Sequence, residues 1–94
     1  MIISFRDQRA AKIFERTFVK GFPTDLQRVA LRRLEILNAA QTLEDLRIPP
    51  GNRLEKLSGN REAQHSIRIN DQFRICFVFK EGNAYDVEIT DYHS

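Results

Sequence analysis

The stretch that decides the fold is residues 65–91, HSIRINDQFRICFVFKEGNAYDVEITD, in which apolar side chains recur at every second position. This alternation is typical of β-strands with one buried face. It predicts three antiparallel strands, HSIRIN, FRICFVFK and AYDVEITD, joined by turns at Asn70-Asp71-Gln72 and at KEGN. Arg68, Arg74 and Cys76 are expected on the outer face. The apolar residues expected on the inner face are Ile67, Ile69, Phe73, Ile75, Phe77, Phe79, Tyr85, Val87 and Ile89.

The N-terminal segment predicts one further strand and a helix. MIISFR is short and apolar, which indicates a strand. In residues 7–21, Asp7 can cap a helix whose apolar side includes Phe14 and Phe18, and Gly21 can end it.

A second helix is expected in residues 22–40, where apolar residues form one stripe at helical spacing and Thr24 with Gln27 fits a capping box. The order is therefore strand, two helices and three antiparallel strands. This order predicts a two-layer α+β fold, with the helices on one face of a small sheet and the other face partly open.

Size and composition indicate one domain over residues 1–94, with 41% hydrophobic residues available for a core. The chain has a single cysteine, Cys76, so no disulfide forms within it, and a reducing compartment is expected. No stretch is long and apolar enough for a leader peptide or a membrane span. These features predict a soluble cytoplasmic protein without a membrane partner.

Charge is unevenly distributed along the chain. Residues 47–74 contain six cations and three anions, whereas residues 81–94 contain four anions and neither Lys nor Arg. A basic middle segment suggests a polyanionic partner such as nucleic acid, although a solvated face with ion pairs is the plainer alternative. The cations are Arg47, Arg53, Lys56, Arg61, Arg68 and Arg74.

No motif for a metal or a cofactor is visible, and none is expected. RNA cleavage by internal attack of the ribose 2′-OH needs neither, because a base, a cation that stabilises the phosphoryl oxygens and an acid for the leaving oxygen suffice. Glu55, Arg74 and His93 are candidates for these three roles, and arginine suits the second because its fork matches two phosphate oxygens.

The segments LSGNREAQHSIRINDQFRICFVF and ITDYH, together with MIISF and PPGNRLEKLSGNRE, resemble the RelE/ParE superfamily of toxins from toxin–antitoxin pairs, and within it the HigB branch. The resemblance implies a RelE-like fold and a ribosome-dependent ribonuclease that cuts mRNA in the decoding site. It also implies a cognate HigA-like helix-turn-helix antitoxin. The toxin would then contact DNA only indirectly, through this antitoxin.

Carried over to this sequence, the resemblance implies that Arg74 stabilises the scissile phosphate. It assigns His93 as the acid, Tyr92 as a stacking residue and Asp91 as an orienting residue, while Glu55 matches the glutamate base of the related YoeB toxins. Some HigB toxins have His and Lys in the loop where this chain has Glu55 and Ser58. The catalytic set is therefore YoeB-like. The residues expected to contact RNA or the ribosome are Arg53, Lys56, Arg61 and Arg68.

Two alternatives remain from the sequence. The first is a ParE-like toxin that inhibits DNA gyrase without RNA chemistry, and the second is an inactive RNA-binding relic. One geometric condition also applies: His93 can meet Arg74 only if the last strand ends, twists or bulges near Thr90 or Asp91, because strict alternation places His93 on the face of Val87 and Ile89.

Overall fold

The sheet is antiparallel, and its strands follow one another in chain order. A computed structural model describes residues 1–61 and 63–91. Within these ranges the strands, in their order across the sheet, are β1 (Glu55–Lys56), β2 (His65–Arg68), β3 (Phe73–Lys80) and β4 (Asn83–Asp91). The three strands expected from the alternation are confirmed, and β1 is a short addition at the edge, paired with β2.

The turns between these strands form for local reasons. Asn70 accepts hydrogen bonds through Oδ1 from the amides of Gln72 and Phe73, which closes the β2–β3 connection. Glu81 and Gly82 adopt φ of 50° and 81°, the two left-handed positions that a type I′ hairpin requires.

The N-terminal strand is not formed, and the order is two helices followed by four strands. Ile2 and Phe5 make only isolated parallel bridges, to Ala84 and Val87 of β4. The ladder is interrupted because β4 has a β-bulge here, where Asp86 has a φ of 54° and its amide donates to the Ser4 hydroxyl.

Helix α1 (Gln8–Phe14) begins as expected and ends early. The Asp7 carboxylate caps it by accepting from the Arg9 amide. Arg16 then adopts a φ of 65°, and the amides of Arg16 and Thr17 donate to the carbonyls of Ile13 and Lys12, which is a Schellman ending. The expected continuation to Gly21 is therefore wrong, and Phe18 is 66% exposed rather than part of a helical apolar stripe.

Helix α2 (Thr24–Ala39) supplies most of the helical side of the core. Its stripe is confirmed, since Leu26, Ala30, Leu34 and Leu37 are buried. The capping box is wrong, because Pro23 is the N-cap. The buried Gln27 side chain instead accepts from the Val19 amide and donates to the carbonyls of Val19 and Phe22, which holds the loop between the helices.

The pairing register assigns side chains to the two faces of the sheet, since directly opposed residues project to the same side. The inner face packs on α1 and α2 and includes Ile67, Ile75, Phe77, Val87 and Ile89. The outer face carries Ser66, Arg68, Arg74, Cys76, Glu88 and Thr90. Tyr85 lies opposite Val78 and so belongs to the outer face, which corrects its expected inner position; the bulge causes this switch.

Across residues 1–61 and 63–91, no helix has the length and apolar character needed to cross a bilayer.

Candidate functional site

Arg74 lies in the middle of the outer face, and its guanidinium is buried. It is 6% exposed, so the outer face, which was expected to be partly open, is closed at Arg74. Its Nε donates to the Ser66 hydroxyl at 2.8 Å, and its Nη2 donates to the Arg53 carbonyl at 2.6 Å. A buried cation needs hydrogen-bond acceptors and a nearby negative charge. Ser66 and Arg53 supply the acceptors, and Glu55 supplies the charge.

Glu55 is the acidic neighbour of this arginine. Strand β1 pairs Glu55 with Ser66, which places the carboxylate on the outer face beside β2. One Glu55 oxygen, Oε1, lies 3.8 Å from Arg74 Nη2, and the Glu55 side chain is 48% exposed. The structure therefore brings together a half-exposed carboxylate and a buried guanidinium, two groups that the sequence assigned to one reaction.

A short loop delivers the Arg53 carbonyl to Arg74. The 3₁₀ turn Pro50–Asn52 ends at Arg53, whose φ of 45° turns the chain into β1. Asn52 is fully buried; it donates to the carbonyls of Leu46 and Ile48, and its Oδ1 accepts from Arg33 Nη1 of α2 at 2.8 Å. These bonds fix the loop against the helical layer, while the Arg53 side chain itself is exposed.

Two of the other candidate cations are ion-paired. Arg68 lies directly opposite Arg74 and pairs with Asp71. Arg61 pairs with the mostly buried Glu88 at 3.2 Å, and Glu88 also lies 3.5 Å from Arg6. Part of the basic segment is thus compensated locally, as the plainer reading of its charge anticipated.

Lys56 is exposed and lies opposite His65, so it projects away from the outer face. Burial lowers the pKa of His65, and the nearby Lys56 charge lowers it further, so the neutral imidazole is favoured in the folded protein. The described residues contain no group of three or more His, Cys, Asp or Glu side chains arranged to hold a metal ion.

The end of β4 separates Asp91 from Arg74. Thr90 is opposite Arg74, whereas Asp91 is opposite Phe73 and accepts from the Gln72 side chain at 2.9 Å. The bulge in β4 is at Asp86, upstream of the position that the geometric condition for His93 named, and pairing is regular from Glu88 to Asp91. Tyr92 and His93 lie outside the described residues.

Sequence reasoning missed Ser66. A detectable signal existed, because a hairpin centred on residues 70–72 pairs Arg68 with Arg74 and therefore places Ser66 diagonally next to Arg74 on the same face. It also missed Glu88, although the alternation of β4 places Glu88 between the inner residues Val87 and Ile89 and therefore on the outer face.

Comparisons with known proteins place this chain in a family. Residues 3–93 match the family described as the RelE-like toxin of the type II toxin–antitoxin system HigB. Toxin HigB-1 of Vibrio cholerae is 41% identical over 89% of this chain and 90% of its own length. Endoribonuclease HigB of Proteus vulgaris is 34% identical over 99% of this chain and all of its own length. The chain therefore belongs to the RelE-like HigB toxins of type II toxin–antitoxin systems.

Proposed function

We propose that this toxin is a metal-independent endoribonuclease that cleaves mRNA in the decoding site of translating ribosomes and so inhibits translation. The observation that carries the proposal is the Glu55–Arg74 pair, in which Oε1 of the half-exposed Glu55 side chain lies 3.8 Å from Nη2 of the buried Arg74 side chain. The name Endoribonuclease HigB, given to a relative 34% identical to the chain, supports the same reaction class.

In the proposed reaction, Glu55 takes the proton of the ribose 2′-OH, and the resulting oxygen attacks the adjacent phosphorus. Arg74 stabilises the negative charge that gathers on the phosphoryl oxygens, and His93 protonates the departing 5′-oxygen. One fragment keeps a 2′,3′-cyclic phosphate and the other a 5′-OH. Tyr92 is proposed to stack on a base, and Asp91 to orient its neighbours.

The surroundings of Arg74 suit the second of these roles. A guanidinium held by the Ser66 hydroxyl and the Arg53 carbonyl has little freedom to reorient during the reaction. In a site shielded from water its charge also acts more strongly than that of an exposed side chain. Glu55, being half exposed, remains accessible to a ribose hydroxyl.

The remaining assignments follow from the same reaction. Arg53, Lys56, Arg61 and Arg68 would contact RNA or ribosomal RNA, and the first two are exposed. We further propose one toxin domain over residues 1–94, action in the cytoplasm without a cofactor, and neutralisation by a HigA-like helix-turn-helix antitoxin. The toxin would then contact DNA only indirectly, through that antitoxin.

Purified toxin tests the proposal on two substrates, free mRNA and mRNA on translating ribosomes. Cleavage should be efficient only for mRNA on ribosomes, and the new mRNA 5′ ends should map within translated regions. Glu55→Gln should slow single-turnover cleavage by roughly 10²–10⁴-fold, the usual contribution of general acid–base catalysis, with ribosome binding unchanged. Glu44→Gln is the matched control, because Glu44 is also an ion-paired carboxylate but is 79% exposed and pairs with Arg47.

Three outcomes would count against the proposal. Equal rates on free and ribosome-bound mRNA would remove the ribosome dependence. Parent-like cleavage by Glu55→Gln would show that another group is the base. Arrest of DNA replication before translation, without new mRNA ends, would favour the ParE-like alternative.

A further inference from the structure

We propose that Ser66 is a positioning residue for Arg74, holding the guanidinium in the orientation that RNA cleavage requires. This inference rests on the proposed function, since it concerns the same site. It assigns to a buried serine hydroxyl a role that is exerted through Arg74 and not by direct contact with the RNA.

The contact is made along one edge of the guanidinium. Arg74 Nε donates to the Ser66 hydroxyl oxygen at 2.8 Å, and Arg74 Nη2 lies 3.5 Å from the Ser66 carbonyl oxygen. A single residue therefore meets both nitrogens of the Nε–Nη2 edge. Because the guanidinium is planar and rigid, fixing this edge fixes the plane of the whole group.

The orientation of the guanidinium matters because Nη2 also contacts Arg53 and lies near Glu55. With Ser66 holding Nε, the Nη2 nitrogen is directed to the Arg53 carbonyl at 2.6 Å and lies 3.8 Å from the Glu55 carboxylate. Ser66 thus sets the relative placement of the proposed base and the proposed phosphate-stabilising cation. Small misplacements of such groups cost large factors in rate.

The hydroxyl is not needed for the strand itself. Ser66 is fully buried in β2, and its backbone pairs with Glu55 on one side and Cys76 on the other. Alanine would keep that pairing and remove one oxygen. The described contact of that oxygen is to Arg74, so its loss should act through the guanidinium.

Cys76 offers a matched control. It is the cross-strand partner of Ser66 on the same face, it is 4% exposed, and Cys76→Ala likewise removes one buried heavy atom. A loss of packing alone would affect both alanine variants similarly. A loss of positioning would affect only Ser66→Ala. Ser66→Thr keeps a hydroxyl and should therefore keep the cleavage rate of the parent.

Two measurements test the proposal on full-length protein, at a temperature where melting curves show each variant folded. In single-turnover cleavage of ribosome-bound mRNA, Ser66→Ala should be slower by about tenfold, with ribosome affinity within about twofold, because positioning acts on the chemical step. Ser66→Thr and Cys76→Ala should be close to the parent. In NMR spectra, exchange of the Arg74 Nε proton with water should become about tenfold faster in Ser66→Ala only, because that proton loses its acceptor.

The outcomes separate this inference from the proposed function. Parent-like cleavage and an equally protected Arg74 Nε proton in Ser66→Ala would overturn the role of Ser66 alone. An equal loss in Cys76→Ala would also overturn it, because packing would then explain the effect. A parent protein that cleaves no RNA, or an Arg74→Gln variant as active as the parent, would overturn the proposed function and the inference with it.

Discussion

Replacing Arg74 by alanine should weaken both the fold and the reaction. The guanidinium is 6% exposed and donates short hydrogen bonds from Nε to the Ser66 hydroxyl and from Nη2 to the Arg53 carbonyl. Alanine removes both bonds and leaves two acceptors in a poorly hydrated place. An arginine on an exposed sheet face would have no such effect on stability.

The magnitude follows from the number and kind of these bonds. A hydrogen bond from a charged donor contributes about 1.5–3 kcal/mol, so two bonds give a gross loss of roughly 3–6 kcal/mol. Part of this is returned because the variant no longer has to desolvate a guanidinium. A net destabilisation of about 2–3 kcal/mol is expected, which corresponds to a fall in Tm of roughly 10–20 °C for a domain of this size.

Urea and thermal melts of the free toxin measure this change, with Arg68→Ala as the matched control. Arg68 lies directly opposite Arg74, but its side chain is 31% exposed and that of its partner Asp71 is 93% exposed. Its loss should cost no more than about 1 kcal/mol, the range of surface ion pairs. Cleavage by Arg74→Ala, measured below its melting range, should fall by at least about a hundredfold.

Two results would refute this reasoning. If Arg74→Ala melts like the parent, the two short hydrogen bonds make no net contribution to stability. If it loses stability but cleaves ribosome-bound mRNA at the parent rate, Arg74 has only a structural role.

Two further predictions concern pH. Burial tends to raise the pKa of Asp7, but hydrogen bonds from the Arg9 side chain and from the amides of Arg9 and Ile89 lower it overall, so its stabilising contribution is present above its ordinary value of 3.8 and is lost as pH falls below it. Asp7→Asn should flatten the fall of the urea midpoint below about pH 4, and an unchanged fall would exclude Asp7 as its source. The pKa of His65 is lowered by burial and by Lys56, so stability should decrease as pH falls below 6.5. His65→Gln should remove that decrease in urea melts. If the decrease persists in the variant, it arises from groups other than His65.

The faces of β2 and β3 could be predicted from the sequence because period-two alternation survives wherever a strand is regular. Tyr85 was assigned to the wrong face because the bulge depends on Asp86 adopting a left-handed φ, and no hydrophobic pattern marks that choice. The end of α1 has the same origin, since Arg16 takes the left-handed position that glycine usually fills.

At the site, residue chemistry indicated Glu55 and Arg74 as candidates for two roles in one reaction, and the register of β1 with β2 brings them together. The burial of Arg74 could not be predicted, because one of the groups that hold it is the backbone carbonyl of Arg53. Every residue has a carbonyl, so the sequence carries no sign of which one turns inward.

The bulge in β4 also predicts where members of this family can change length. On β3, the pairs Val78–Tyr85 and Cys76–Glu88 leave two residues of β4, Asp86 and Val87, opposite Phe77. Loss of Asp86 alone would make the ladder continuous without altering either pair. Loss of a residue between Glu88 and Asp91 would instead turn part of the strand over, because a shift of one residue exchanges the faces. Natural insertions and deletions in β4 should therefore collect at Asp86, and homologues that lack the extra residue can keep the same outer face.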